Sequence, residues 1–258
     1  MAILAQYPAG KVKEIRDVTA TGASAGFALS GGVGDDVFID PSFFIGTGPG
    51  SVGFTLSGGV GDDLILHDVT ATGASAGFAL SGGVGGGVVI DPSVFSSAGG
   101  TGISLGTIGG NLFVSHVTSS GNGGSGLTAT LTGGDVTIRS STFNGNGGDG
   151  VNLTGADDIR VNKMTANGNG DAGLEVSASN FIDVDGSTFV GNFRGLVVDT
   201  TNVDADKNTI AGNTTGIRLV GPLTASGTGN NVAGNGTNCS TSGAITGSIG
   251  LAGGGSCP

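Results

Sequence analysis

The sequence predicts an all-β chain wound as a parallel β-solenoid with three sheets and about nine to ten coils of 21–27 residues. Three observations lead there. A Gly followed by an apolar residue, any residue and a second apolar residue opens at Gly26, Gly53, Gly77, Gly102, Gly126, Gly150, Gly173, Gly195 and Gly216, at intervals that shrink from 27 to 21 residues. Within each interval apolar and other residues alternate in three short runs. An Asn recurs with the same period.

The repeat from Gly150 to Gly173 shows how one coil is built. Val151 and Leu153 face inward from a first strand, Ile159 and Val161 from a second, and Met164 and Ala166 from a third. Alternation with period two is the mark of a strand with one buried face, and Gly, Asp and Asn separate the runs as turn residues do. Neighbouring repeats carry the same pairs as Leu127/Ala129, Val136/Ile138 and Phe143, and as Leu174/Val176, Ile182/Val184 and Phe189. Stacking such coils about 4.8 Å apart, the strand spacing of a sheet, makes one continuous apolar core. Asn122, Asn146, Asn169, Asn192, Asn213 and Asn235 then form a column at a corner, where stacked amides can bond to one another.

The solenoid is expected over residues 17–236, with 1–16 as a lead-in and cap and 237–258 as a tail. Cys239 and Cys257, the only cysteines, are placed to close that tail with a disulfide, which favours an oxidising, extracellular or cell-surface location. No run approaches the ~20 apolar residues of a membrane-spanning helix. The net charge is −11, and no Lys or Arg lies between Arg16 and Arg139, so a nucleic acid partner is not expected. Polyanionic polysaccharides would be repelled too, unless calcium intervened.

The run NGNGGDGVNL, then DDIRVNKMTANGNGDAGLEV, then DKNTIAGNTTGIRL, resembles the right-handed parallel β-helix repeat of the pectin-lyase-like superfamily in its generic secreted form. The resemblance covers about residues 17–236. It implies right-handed winding and an extracellular role in carbohydrate processing, adhesion or surface structure, but a fold alone assigns no activity. The superfamily's glycosidase signature, a paired Asp-Asp with a downstream Gly-His and an Arg-x-Lys, is missing. A two-coil block beginning at Asp17 returns almost unchanged 51 residues later at Asp68, which suits a spacer or adhesive surface better than an active site.

Four sets of residues are candidates for function. Phe38, Ile65, Val89 and Phe113 take outward positions on the second strand of four consecutive coils and form an apolar stripe, suited to self-association or to another surface protein. Asp183 and Asp204, one coil apart and next to Arg160, are the best candidates for a catalytic or polysaccharide-binding patch. Asp35, Asp36, Asp62 and Asp63 lie in two GGVGDD turns that match part of a calcium nonapeptide, although the copies are 27 residues apart instead of adjoining, so no cofactor beyond a possible calcium is expected. His67 and His116, two coils apart, read as turn residues. The balance favours a non-catalytic structural, adhesive or filament-forming module, with a carbohydrate-active or carbohydrate-binding protein as the alternative.

Overall fold

The computed structural model describes residues 3–6, 13–252 and 254–257. They form a parallel β-solenoid of about 10 turns with no helix among the described residues. Each coil gives one strand to each of three parallel sheets. In the first sheet Leu127, Val151, Leu174, Leu196 and Ile217 stand in register, and in the second Val136, Ile159, Ile182 and Val203 do so. The third is thinner: over its middle coils the strand shrinks to single bridges that link Thr118, Thr142, Thr165 and Thr188.

The alternation read from the sequence sets this register, because a slip of one residue would turn every apolar side chain outward. Val151 and Leu153 are buried, while Asn152 between them is only half-buried. The N-terminal coils are longer and fill their wider interior in two ways. Phe27, Phe44, Phe54, Phe78 and Phe95 form a run of rings with centroids 4.9–6.2 Å apart, and Val33, Val60, Val84 and Ile108 add a fourth inward column. The shorter C-terminal coils have mainly aliphatic cores.

The corners follow from backbone chemistry. Between the second and third sheets the chain turns through a left-handed residue at Asp17, Asp68, His116, Ser140, Lys163 and Lys207, with φ of 49–54°. Two coils have Pro41 and Pro92 there instead, and proline cannot take positive φ. Just inside this corner Ser42, Ser93, Ser141 and Ser187 are buried, and each hydroxyl accepts the backbone N–H of the preceding coil. Asn208 and Asn230 continue the column.

Parallel pairing runs past residues 17 and 236. Ile3–Gln6 pairs with Phe27–Ser30, and Lys13–Arg16 with Val37–Asp40; residues 1–2 and 7–12 lie outside the described residues. At the other end Thr237–Ser242 and Ile245–Gly247 add another coil. An antiparallel pair, Ile249–Gly250 with Ser256–Cys257, then closes the core, with Ile249 and Cys257 fully buried. Cys239 and Cys257 are joined by a disulfide, a bond typical of oxidising compartments. No helix of the described residues is long and apolar enough to cross a membrane.

Candidate functional site

The second sheet carries most of the candidate residues on its outer face. Phe38, Ile65, Val89 and Phe113 stand in register on successive coils, and Thr137 ends the row. Each is half-buried, because its neighbours along the rod cover part of it. Arginines cover the two ends: the Arg16 guanidinium lies 5.1 Å from the Phe38 ring centroid, and that of Arg139 4.5 Å from Phe113. A shallow groove passes over Val89 and Phe113, edged by Asp63 and Asn111.

Beside the stripe, toward the corner, runs a column of polar and charged groups, Arg16, Asp40, His67, Asp91, Ser115 and Arg139, with His116 one residue beyond it at the left-handed corner. His67 Nδ1 is 2.8 Å from Asp40 Oδ1, and His116 Nδ1 is 3.2 Å from Asp91 Oδ1. His116 thus takes the left-handed corner position and His67 stands one residue before it, each held by an aspartate of the previous coil.

Farther along the same face Arg160, Asp183 and Asp204 are in register, with Asn162, Asp185 and Asp206 beside them, and together they line an open groove. Burial pushes the Asp183 carboxyl above the usual range; Asp204 and Asp185 add to this and Arg160 opposes it. The Lys207 ammonium stands 3.8 Å from Asp185 Oδ1. This arrangement makes Asp183 hold its proton more readily than a free aspartate and can accept hydrogen bonds from hydroxyl groups.

At the corner before the second sheet, carboxylate oxygens of Asp35, Asp36 and Asp62 lie within 4.8 Å of one another. Asp63 is outside this group; its carboxylate accepts the Gly87 N–H at 2.6 Å, as that of Asp36 accepts the Asp63 N–H at 3.0 Å. The carboxylates of Asp36 and Asp63 raise the Asp62 pKa, with smaller contributions from desolvation and then from Asp35. These three acids are the ones able to hold a cation there.

A second cluster was not expected from the sequence. Asp149, Asp171 and Glu175 also bring carboxylate oxygens within 4.8 Å, but here Arg194 threads between them. Its guanidinium, mostly buried, donates to Asp171 at 2.5 and 2.9 Å and to Glu175 at 3.0 Å. Asp149 accepts the Ala172 N–H and an amide N–H of Asn152. The available signal was a charged residue one or two places before Gly150, Gly173 and Gly195. Also unforeseen, Phe43 and Val94 are exposed on the third sheet, in one row with Thr19, Thr70 and Thr118.

Burial raises the Glu175 pKa most, with Arg194 opposing the shift and Asp149 and Asp171 adding to it. For an acid whose pKa is raised by folding, the stabilising contribution is complete below the unfolded value, 4.5 for Glu175, and disappears as pH rises through the folded value. Asp183 acts in the same direction. The thermal midpoint is therefore expected to rise as pH falls toward the unfolded values, 4.5 for Glu175 and 3.8 for Asp183. Glu175→Gln and Asp183→Asn should each flatten that slope; an unchanged slope in both would show that the gain comes from elsewhere.

A family model described as the right-handed β-helix region matches residues 53–215, more than half of the chain. No curated protein gives a significant match.

Proposed function

Because the chain belongs to the right-handed β-helix family, whose fold supplies a rigid rod without dictating an activity, we propose that it is a non-catalytic structural, adhesive or filament-forming module of the cell exterior. Its contacts run through the outer face of the second sheet. The observation that carries this reading is the stripe of Phe38, Ile65, Val89 and Phe113, in register over four coils with an arginine on each end ring. An apolar row on an otherwise polar, acidic surface lowers its free energy when covered. The disulfide supports an extracellular setting, and the duplicated block supports a scaffold that has been extended.

The test is sizing over a wide range of protein concentration. The native chain is expected to self-associate as concentration rises, whereas Phe38→Ser with Phe113→Ser remains monomeric and keeps its β spectrum. Self-association unaltered by both substitutions removes the stripe from the interface.

The alternative is a carbohydrate-active or carbohydrate-binding protein. It draws on the in-register Asp183 and Asp204 beside Arg160 and on the raised Asp183 carboxyl. Degradation of a polysaccharide by a strict monomer, abolished by Asp183→Ala, would place this reading first.

A further inference from the structure

We infer that the corner between the second and third sheets is a self-complementary ridge, through which two copies associate antiparallel about a twofold axis at His116. This contact is separate from the stripe. Register places one exposed residue on the ridge in each of nine successive coils: Asp17, Pro41 and Asp68 first, then Pro92, His116 and Ser140, then Lys163, Gly186 and Lys207. The acids thus stand near one end and the lysines near the other, at equal distances from His116. A twofold axis along the local chain direction reverses the rod and keeps the ridge opposite itself. Centred on His116, it sets Asp17 against Lys207 of the second copy and Asp68 against the second copy's Lys163, each twice over in the dimer. Pro41 comes opposite Gly186, which has no side chain, and Pro92 opposite Ser140.

Charge selects this orientation. With the axis along the rod instead, every coil faces its own counterpart, so that Asp17 meets Asp17, Asp68 meets Asp68, and each lysine meets itself. Every charged position of the ridge is then repulsive, whereas the antiparallel arrangement makes every one attractive. Among the described residues the carboxylates of Asp17 and Asp68 and the ammonium of Lys163 have no hydrogen-bond or ion-pair partner. Lys207 is held loosely, 3.8 Å from Asp185 Oδ1 with its side chain 75% exposed. The second copy supplies the counter-charges that the chain itself lacks. On the second-sheet side the same operation brings Arg16 opposite Asp206 and Asp91 opposite Arg139. Asp40 there comes opposite Asp185, a like-charged pair that is offset in each chain by His67, 2.8 Å from Asp40, and by Lys207 beside Asp185. On the third-sheet side the exposed Phe43 and Val94 come opposite Thr188 and Thr142, whose methyl groups give them apolar cover.

From Asp17 to Lys207 the ridge spans about 38 Å at the strand spacing. Exposed ion pairs contribute little singly. The contact therefore belongs to the small, weak and salt-sensitive class of interfaces, and it gains strength when many rods are held at high local concentration.

Asp68→Lys and Lys163→Asp probe the ridge without disturbing the fold, because each puts at the corner a residue type the chain already uses in that left-handed conformation, with φ of 51° at Asp68 and 54° at Lys163. The native chain, each variant alone and an equimolar mixture of the two variants are sized over a range of concentration at low salt. Each variant alone is expected to associate roughly tenfold more weakly than the native chain, since both of its central pairs become like-charged. The mixture is expected to recover native association, since one variant then supplies both lysines and the other both aspartates. Variants that associate as the native chain does overturn the antiparallel ridge, because a parallel pair keeps like charges opposite whichever sign they carry. A mixture no stronger than its components overturns it as well. Loss of association in Phe38→Ser with Phe113→Ser but not in these variants leaves the stripe standing alone, and the converse leaves the ridge standing alone. A native chain that stays monomeric at every concentration overturns both.

Discussion

Phe54→Ala is expected to destabilise the protein by about 3–5 kcal/mol, the range for removing a buried phenylalanine, and to lower the thermal midpoint by roughly 10 °C. Phe54 is fully buried, stacks on Phe78 at 4.9 Å with planes 11° apart, and meets Phe27 and Phe44 at 5.6 and 5.2 Å. The cost falls at the upper end because the site cannot collapse. Its strand, Val52–Leu56, is bonded on one side to Ala25–Ser30 and on the other to Ala76–Leu80, so the backbone cannot move in to fill the space. In a stack of coils each coil is stabilised mainly by its neighbours, and the loss is therefore local. Hydrogen exchange should show coils up to about residue 110 opening first, while those around Asn169 stay protected. A midpoint within a degree of the native chain, or exchange that rises uniformly, would contradict a core that is rigid along the rod. Phe38→Ser, on the half-buried outer row, should cost clearly less.

What could be read in the chain depended on whether a feature repeats once per coil. The Gly-led triplets do, and so the strands around Val151, Ile159 and Leu174, their register and the inward set follow from period and alternation. The column from Asn122 to Asn235 also does. The buried serines do not: Ser42, Ser93, Ser141 and Ser187 come back on alternate coils, with Val69, Val117 and Met164 at the positions between, so a search at one coil's period passes over them. The Arg194 cluster was hidden for another reason. Asp149 and Asp171 sit at a corner while Glu175 points out from a strand, and only the three-dimensional turn brings them to one guanidinium. The four aspartates of the GGVGDD turns were legible as a crowd of charge. That Asp36 and Asp63 each accept the backbone N–H of the equivalent residue in the next coil, Asp63 and Gly87, depends on the coil register and not on the charge pattern. The stripe was legible as a column, but its arginine-covered ends were not, since Arg16 and Arg139 lie outside the four coils that carry it.

Asn169→Ala is the second large effect expected, about 2–4 kcal/mol, because one side chain removed leaves two buried donors without an acceptor. Asn169 is 3% exposed, and its Oδ1 accepts both the backbone N–H and the side-chain amide of Asn146, at 3.0 Å each. Its own amide donates to Asn192 Oδ1 at 2.9 Å, and its backbone N–H donates to the same oxygen at 2.8 Å. The same pattern passes on from Asn192 to Asn213 and from Asn213 to Asn235, so each amide aligns the next. Two comparisons separate this account from a general loss of packing. Asn235→Ala, at the less buried end of the column, should cost less than half as much. The double change Asn169→Ala with Asn192→Ala should cost less than the sum of the single changes, since the bond between the two amides can be lost only once. Midpoints from thermal or denaturant unfolding measure all four chains. Strict additivity would mean that the asparagines act as separate corner residues and that the stacked amides do not form one bonded column.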